Sequence, residues 1–299
     1  MTAEVAGALA TGGAVVALES TIISHGLPRP DNLRIAGEIE TAVRDAGAVP
    51  ATIAVLDGAV RVGLDQAGLA TVAGRPDVAK VGVRDLAIVL ARATPGATTV
   101  ASTAYLAGLT GIRVFATGGL GGVHRAAAES YDESADLFTL AETPVTVVCA
   151  GVKSILDVPA TLERLESLSV GLVGYRTDRF PGFYRSDSGQ PVPWRVDSPA
   201  EIAEIMAVRN RLAQRQALVV ANPLPESEQL DPRLHDRVLA TGLAELSASG
   251  VRGKDVTPFL LAYFHEHTAG ASLAANVRLV LGNAELAARI AAAYAALPR

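Results

Sequence analysis

Residues 112–157 read IRVFATGGLGGVHRAAAESYDESADLFTLAETPVTVVCAGVKSILD and contain two short apolar runs, each followed two residues later by glycine. The runs, residues 112–116 and 145–149, are rich in β-branched residues, which is typical of parallel strands buried inside a sheet. Residues that follow such strands line the crevice at the carboxyl edge of an open α/β sheet. We therefore expect the two strand ends to converge and to form a ligand site.

A glycine-rich turn and several polar residues directly follow the two predicted strands. Thr117, the segment GGLGGVH and His124 follow the first strand, and Lys153 follows the second. Glycines allow a ligand to approach the backbone closely, but this segment has neither the Gly-Lys-Ser/Thr ending of a P-loop nor the spacing GxGxxG. His124 is as consistent with a structural role as with a ligand contact. The turn therefore indicates a ligand site without identifying the ligand.

Lysine is rare in this chain. Of the 26 basic residues, 23 are Arg and only three are Lys, at positions 80, 153 and 254. A partly buried lysine can lose its proton and attack a carbon atom, which arginine cannot do. Lys254 lies in the polar turn RGKD, which is typical of a surface residue, and Lys80 is also consistent with a simple ion pair. Lys153, directly behind a buried strand, is the candidate nucleophile.

Glu19 ends another short apolar strand, residues 14–18, and precedes an irregular loop. A carboxylate at this position is suited to acid chemistry, although a helix cap or a loop ion pair is an equally good interpretation. Residues 98–103, TTVAST, form the hydroxyl-rich start of an apolar helix. The free N–H groups of a helix N-terminus bind anions, and Ser and Thr are also ordinary caps.

The segment YDESAD offers three carboxylates, those of Asp132, Glu133 and Asp136. Carboxylates without paired histidines favour a hard ion such as Mg²⁺ or Mn²⁺ over zinc. The alternative is an acidic first turn of a helix, which interacts favourably with the helix dipole.

Composition excludes several classes of protein. The net charge of −5 provides no basic footprint for nucleic acid. No apolar run approaches the ~18 residues of a membrane span, and the start MTAEVAGALA lacks the basic region of a secretion signal. One cysteine, Cys149, excludes an internal disulfide framework and suits a reducing cytoplasm. We expect a cytoplasmic α/β protein that binds neither nucleic acid nor membranes.

The remainder of the chain alternates short strands with helices, includes a hairpin signal at Asp57-Gly58, and contains a helix that we expect Asp31 to cap. Residues 174–196 form a long loop, which in a compact domain is usually functional. We expect it to cover the crevice or to form an oligomer contact, because its residues Phe180, Phe183, Tyr184 and Trp194 account for much of the aromatic content of the chain. Asn276 lies in an apolar helix, where a buried amide must be bonded either to backbone or to a ligand.

Ten segments in the same order resemble the pseudouridine-5'-phosphate glycosidases, the family that includes the indigoidine synthase A proteins. The segments span nearly the whole chain and are ALESTIISHGLP, KVGVRDL, GATTVAST, FATGGLGGVHR, DESADL, VCAGVKSILD, GYRTDRFPGFY, VANPLP, GKDVTPFLL and SLAAN. The resemblance implies one domain over residues 1–299, a three-layer α/β/α sandwich with a mixed, largely parallel central sheet, and a homotrimer. It also implies reversible cleavage of pseudouridine 5'-phosphate to uracil and ribose 5-phosphate.

The resemblance assigns roles to individual residues. Lys153 is implied to form an imine with C1' of the sugar, and Glu19 to be the proton donor. Asp132 is implied to bind one divalent ion per subunit, usually Mn²⁺, with Mg²⁺ possible. Further residues match substrate contacts, the last three only loosely as part of the phosphate or pyrimidine pocket: Lys80, Val100, Ser134, Ala135, Asp136, Thr117, His124 and Asn276.

Without the family resemblance, the residues are also consistent with a second class of function. A sugar kinase or another phosphosugar-binding protein would also use a glycine-rich strand end and an acid cluster. A kinase would consume ATP, and a pure binding protein would tolerate Lys153→Arg, so both alternatives differ from a lysine-dependent enzyme in a measurable way.

Overall fold

The coordinates are a computed structural model that describes residues 1–125, 127–251 and 253–298; the side chain of Lys254 lies outside this description. The described residues form one ten-stranded mixed sheet. Its strands are β1 Val15–Leu18, β2 Val49–Leu56, β3 Ala59–Val62, β4 Ala79–Val81, β5 Gly96–Thr98, β6 Val114–Ala116, β7 Thr146–Cys149, β8 Gly171–Tyr175, β9 Arg195–Val196 and β10 Leu218–Ala221.

The helices surround the sheet, and short turns of π or 3₁₀ helix join some of them. The α-helices are α1 Ala3–Ala10, α2 Asp31–Asp45, α3 Gln66–Gly74, α4 Leu86–Ala91, α5 Val100–Thr110, α6 Ala127–Ser130, α7 Ala135–Glu142, α8 Val158–Ser167, α9 Pro199–Arg211, α10 Pro232–Ser249, α11 Val256–His267 and α12 Ala271–Ala295. No described helix combines the length and the apolar character that crossing a bilayer requires.

The order of the strands in the sheet indicates where a ligand would bind. The sheet runs β4-β5-β2-β1-β6-β7-β10-β8-β9, with β3 also paired to β2. Strands β3, β4 and β5 run against the others, because β3 and β5 both pair with β2 in the antiparallel sense and β4 is parallel to β5. From β1 the chain moves one way to β2, and from β6 it moves the opposite way to β7. Strand order therefore reverses between β1 and β6, and in open α/β sheets ligands bind at the carboxyl ends of the strands at such a point.

The helices form two layers. Right-handed crossovers in opposite directions place α2, between β1 and β2, and α7, between β6 and β7, on opposite faces of the sheet. Helix α12 packs on α2 and α9 and across β1, β6 and β7, while α5 packs on α7. Strands β1, β6, β7 and β10 are buried throughout because both of their faces are covered. This is the three-layer sandwich with a mixed, largely parallel sheet that the family resemblance implies.

Of the two local predictions made from turn and cap residues, the hairpin is confirmed and the helix cap is not. The hairpin β2–β3 turns at Asp57 and Gly58, whose φ angles of 52° and 69° suit a tight hairpin turn. The predicted Asp31 cap is wrong: Pro30 occupies the cap position, and Asp31 is the first helical residue and pairs with Arg34 at 3.3 Å. Proline at position 30 fixes the backbone before the helix and leaves the aspartate to interact with the first turn.

Candidate active site

Glu19 and Thr117 are neighbours because the two strands that precede them are paired in register. Leu18 of β1 lies opposite Ala116 of β6, so the next residue on each strand reaches the same edge of the sheet. The Thr117 hydroxyl donates a hydrogen bond to the Glu19 carboxyl group. Thr117 is only 2% exposed and lies behind Glu19 rather than in the open crevice.

The surroundings of Glu19 raise the pKa of its carboxyl group. Burial raises the pKa of its carboxyl group, while the positive charge of Lys153 and the Thr117 hydrogen bond act in the opposite direction. A carboxyl group that keeps its proton to higher pH than usual is suited to proton donation.

Lys153 reaches the crevice from the end of β7. Its side-chain amine donates a hydrogen bond of 2.7 Å to the carbonyl oxygen of Gly119. The two strand-end loops are also joined through backbone, because Leu120 N donates to Gly151 O at 2.9 Å and Lys153 N donates to Leu120 O at 3.1 Å. These bonds hold the loop that carries Lys153 against the glycine-rich turn, and the amine is close enough to Glu19 for its charge to influence the pKa of that carboxyl group.

Asp136 organises the backbone around the crevice. One carboxylate oxygen accepts the N–H of Ala101, in the first turn of α5, at 3.0 Å, and the other accepts the N–H of Gly121 at 2.8 Å. The residue is 6% exposed. Gly121 must lack a side chain, since a Cβ there would lie 2.2 Å from the Ser134 hydroxyl oxygen. The carboxylate therefore ties the helix N-terminus to the glycine-rich turn, in addition to lining the crevice.

The three carboxylates of YDESAD do not converge on one point. Glu133 pairs with Arg164 at 2.9 Å, and Asp136 bonds to backbone as described. Asp132 is left with a partly exposed carboxylate, 3.8 Å from the Nδ1 atom of His124. Within the described residues, no group of three or more His, Cys, Asp or Glu side chains is placed to hold a metal ion. The three carboxylates therefore do not form one ligand set, and Asp132 stays the candidate metal ligand.

His124 and Lys80 border the crevice from its two sides. Burial lowers the pKa of His124, with the charge of Asp132 opposing the shift. Burial also lowers the pKa of Lys80, and the positive charge of Lys153 adds to that effect. Lys80 lies on β4, which is parallel to β5, and β5 leads into helix α5. The reversed pair β4–β5 thus brings this lysine to the same opening as the main strands.

One cavity of about 400 Å³ collects nearly all of the candidates. Every candidate named above lines it except Thr117, which supports Glu19 from behind: Glu19, Lys80, Val100, His124, Asp132, Ser134, Ala135, Asp136, Lys153 and Asn276. Asn276, which is 6% exposed, lies in the wall of this cavity. A larger cleft of about 640 Å³ lies at the opposite edge of β1 and β6, but its described lining contains no Asp, Glu, His or Lys. We therefore assign the chemistry to the smaller cavity.

Several lining residues were missed in the sequence. They are Thr21, Arg84, Thr257, Pro258 and Leu261. Each lies within a segment that carries the family resemblance, which is the only signal that would have selected it. Of the aromatic residues singled out above in the long loop, Phe183 lines the cavity, Phe180 and Tyr184 are buried elsewhere, and Trp194 is 72% exposed. The expected cover over the crevice is therefore provided by one ring.

The chain was compared with known proteins. The family profile described as Indigoidine synthase A like protein matches residues 4–293. A protein named pseudouridine-5'-phosphate glycosidase from Salinispora tropica is 65% identical over 294 residues, which is 98% of this chain and 91% of that protein. A protein of the same name from Streptomyces griseus is 62% identical over 296 residues, 99% of this chain and 92% of that protein.

Two solved structures share the fold. The prealnumycin C-glycosynthase in complex with ribulose 5-phosphate superposes with a TM-score of 0.91 at 36% identity, covering 99% of this chain and 96% of that chain. An indigoidine synthase A-like protein from Thermotoga maritima superposes with a TM-score of 0.87 at 37% identity, covering 94% and 93%. The resemblance noted in the sequence is confirmed over almost the full length, and this chain belongs to the indigoidine synthase A-like family.

Proposed function

We propose that this protein reversibly cleaves the carbon–carbon glycosidic bond of pseudouridine 5'-phosphate to give uracil and ribose 5-phosphate. The observation that carries the proposal is the placement of the Lys153 amine and the Glu19 carboxyl group at one end of a single cavity. Relatives at 62–65% identity carry the name of this activity. A structural relative at 36% identity, a C-glycosynthase, was solved with a phosphorylated sugar.

The chemistry explains why a lysine is needed. The bond to be broken joins C1' to a ring carbon, so protonation of a leaving oxygen, the usual device of glycosidases, is not available. Proton transfer from Glu19 to the ring oxygen would let the ribose ring open as the neutral Lys153 amine adds to C1'. The ammonium formed by this addition loses a proton, and the nitrogen lone pair then forms the C=N bond as the bond to uracil breaks; the freed uracil carbon takes up the proton. The remaining imine is hydrolysed by water, which regenerates the lysine and releases ribose 5-phosphate.

We assign the phosphate to the end of the cavity formed by α5 and its neighbours. Val100 and Ala101 begin α5, and a helix N-terminus attracts anions. Lys80 brings a cation to this end, and Ser134 brings a hydroxyl group. Because Asp136 already accepts two backbone N–H groups at this end, we propose that it shapes the phosphate pocket through the backbone.

A divalent ion fits beside Asp132, although the described residues provide too few ligands to bind it alone. Mg²⁺ and similar ions commonly use one or two carboxylates together with water and substrate phosphate oxygens. The Asp132 carboxylate is partly exposed and lines the cavity, so it matches that pattern. The ion, when bound, would offset phosphate charge, and we propose Mn²⁺ or Mg²⁺ in this role.

Removal of the metal ligand tests this part of the proposal. We expect chelation to abolish uracil release, Mn²⁺ to restore it, and Asp132→Ala to behave like the chelated enzyme at all but high metal concentrations. Uracil release should be measured against added Mn²⁺ for both proteins. Glu133→Ala is the matched control, because Glu133 pairs with Arg164, and it should need no more metal than the wild type. Full activity of Asp132→Ala without added metal would remove Asp132 from the site.

The direct test of function is incubation with pseudouridine 5'-phosphate and Mn²⁺, in which uracil and ribose 5-phosphate should appear in equal amounts. The alternative, a sugar kinase, predicts that ATP is consumed instead, and a phosphosugar-binding protein predicts neither product. A homotrimer and a cytoplasmic location complete the proposal. Light scattering at the monomer mass of 30.8 kDa would reject the trimer.

A further inference from the structure

Asn283 is a buried amide on α12 that is hydrogen-bonded to the backbone of the candidate site. The residue is fully buried, and its Nδ2 atom donates to the carbonyl oxygens of Thr117 at 2.8 Å and of Gly118 at 3.3 Å. A polar side chain inside a protein costs free energy unless it is hydrogen-bonded, and these bonds explain how it is tolerated. The mechanism proposed above gives Asn283 no role.

The two peptide groups that Asn283 binds lie between the contacts of the acid and of the amine. The Thr117 hydroxyl donates to Glu19, and two residues later the carbonyl oxygen of Gly119 accepts the Lys153 amine at 2.7 Å. Successive glycines leave the backbone free to adopt several conformations. Bonds from outside the turn are therefore needed to hold these two contacts in one arrangement, and Asn283 supplies two of them.

The orientation of the Asn283 amide is set by Asn222, which directly follows β10. The Nδ2 atom of Asn222 donates to Oδ1 of Asn283 at 2.9 Å, and the backbone N–H of Asn222 donates to Cys149 O at 2.8 Å. Because Oδ1 is occupied as an acceptor, the NH₂ group of Asn283 faces the carbonyl oxygens, which it can bind. Every polar atom of the Asn283 side chain is bonded, and satisfied buried networks of this kind make their surroundings rigid.

We propose that Asn283 is a positioning residue for the reaction: its amide, oriented by Asn222, holds the Thr117 backbone so that Glu19 stays aligned with the Lys153 amine. This inference rests on the proposed function and adds a residue that lies outside the cavity. The network joins α12 to the ends of β6, β7 and β10, whereas the proposed phosphate-binding groups belong to α5, β4 and α7. It should therefore affect the reacting groups more than substrate binding.

Asn283→Ala tests the effect on the rate. We expect kcat for uracil release to fall roughly ten- to hundred-fold, while the KM for pseudouridine 5'-phosphate stays within about threefold of the wild type. The variant should fold, because Asn222 and Asn283 line a separate cleft of about 590 Å³, from which water can replace the lost amide. Asn283→Leu, which excludes that water, should lower kcat at least as much.

The pH profile distinguishes positioning from a loss of stability. The Thr117 hydrogen bond lowers the pKa of Glu19, so a loosened Thr117 should let that pKa rise and move the alkaline limb of the kcat profile due to Glu19 to higher pH in Asn283→Ala. Where Thr117→Val has already removed the bond, Asn283→Ala should shift the limb less than about half as far. The other charged groups that act on Glu19 are the same in all of these variants: Lys153, Asp136 and Lys80.

Asn32→Ala is the matched control. Asn32 is also a buried asparagine on a helix, 2% exposed, and its amide also donates to two backbone carbonyl oxygens, those of Ile23 at 2.8 Å and Ala73 at 3.0 Å. This variant should lower the melting temperature to a similar degree without moving the alkaline limb.

Three results would overturn the inference: an unchanged kcat and limb in Asn283→Ala, an equal shift of the limb with and without Thr117→Val, or a comparable shift in Asn32→Ala. If the alanine variant does not fold, the same readings apply to Asn283→Leu. A wild-type enzyme that releases no uracil from pseudouridine 5'-phosphate would instead overturn the proposed function.

Discussion

Lys153→Arg is expected to lower uracil release by roughly four orders of magnitude or more, while ribose 5-phosphate still binds. Arginine keeps the positive charge and can still donate a hydrogen bond toward the Gly119 carbonyl oxygen. It cannot lose a proton and add to C1'. The variant therefore separates the electrostatic contribution of this position from its role as a nucleophile.

Covalent trapping identifies the nucleophile directly. Borohydride added with ribose 5-phosphate should reduce the imine to a stable secondary amine, and peptide mapping should place the sugar on Lys153. Lys80→Arg is the control, because Lys80 lines the same cavity and burial lowers its pKa, which makes it the rival amine. We expect that variant to bind the phosphosugar differently yet still to be labelled at Lys153.

The trapping experiment has clear contrary outcomes. Label on Lys80 in the wild type would exchange the roles of the two lysines. An active Lys153→Arg enzyme that gives no label would exclude the covalent mechanism altogether.

The sequence was sufficient to predict the parts of the fold that depend on local pattern. The strands around residues 112–116 and 145–149 have apolar, β-branched sequences, and they lie side by side as β6 and β7. Their ends meet because parallel strands bring their carboxyl ends to one edge, so the positions of Thr117 and Lys153 follow from periodicity and chain order. The hairpin at Asp57-Gly58 likewise follows from its turn residues.

The features missed in the sequence depend on contacts between distant residues. The reversal of β4 and β5 brings Lys80 into the cavity, and no local pattern marks a strand as reversed. The carboxylates of YDESAD have separate partners, Arg164 for Glu133 and the backbone N–H groups of Ala101 and Gly121 for Asp136, which spacing along the chain does not reveal. Phe183 and Trp194 could not be distinguished in the long loop, because irregular backbone has no period that separates buried from exposed residues.

Glu19 is the second position where we expect a large loss. Glu19→Gln keeps the shape of the side chain but removes the acidic proton, so uracil release should fall by about 10²- to 10⁴-fold, the usual contribution of a general acid. Asn or Gln at this position cannot supply the proton to the ring oxygen. Measurement of kcat against pH should also show that the loss of activity at high pH due to Glu19 disappears in this variant.

Thr117→Val is a second variant that tests Glu19, because the direction in which it should shift the pKa of Glu19 can be predicted. The Thr117 hydroxyl donates to Glu19 and lowers the pKa of that carboxyl group, against the larger effect of burial, which raises it. A hydrogen bond to the charged form is lost in Thr117→Val, so the pKa of Glu19 should rise further. The acid then stays protonated to higher pH, and the alkaline limb of the kcat profile due to Glu19 should move to higher pH. A shift to lower pH, or a limb that persists unchanged in Glu19→Gln, would show that another group donates the proton.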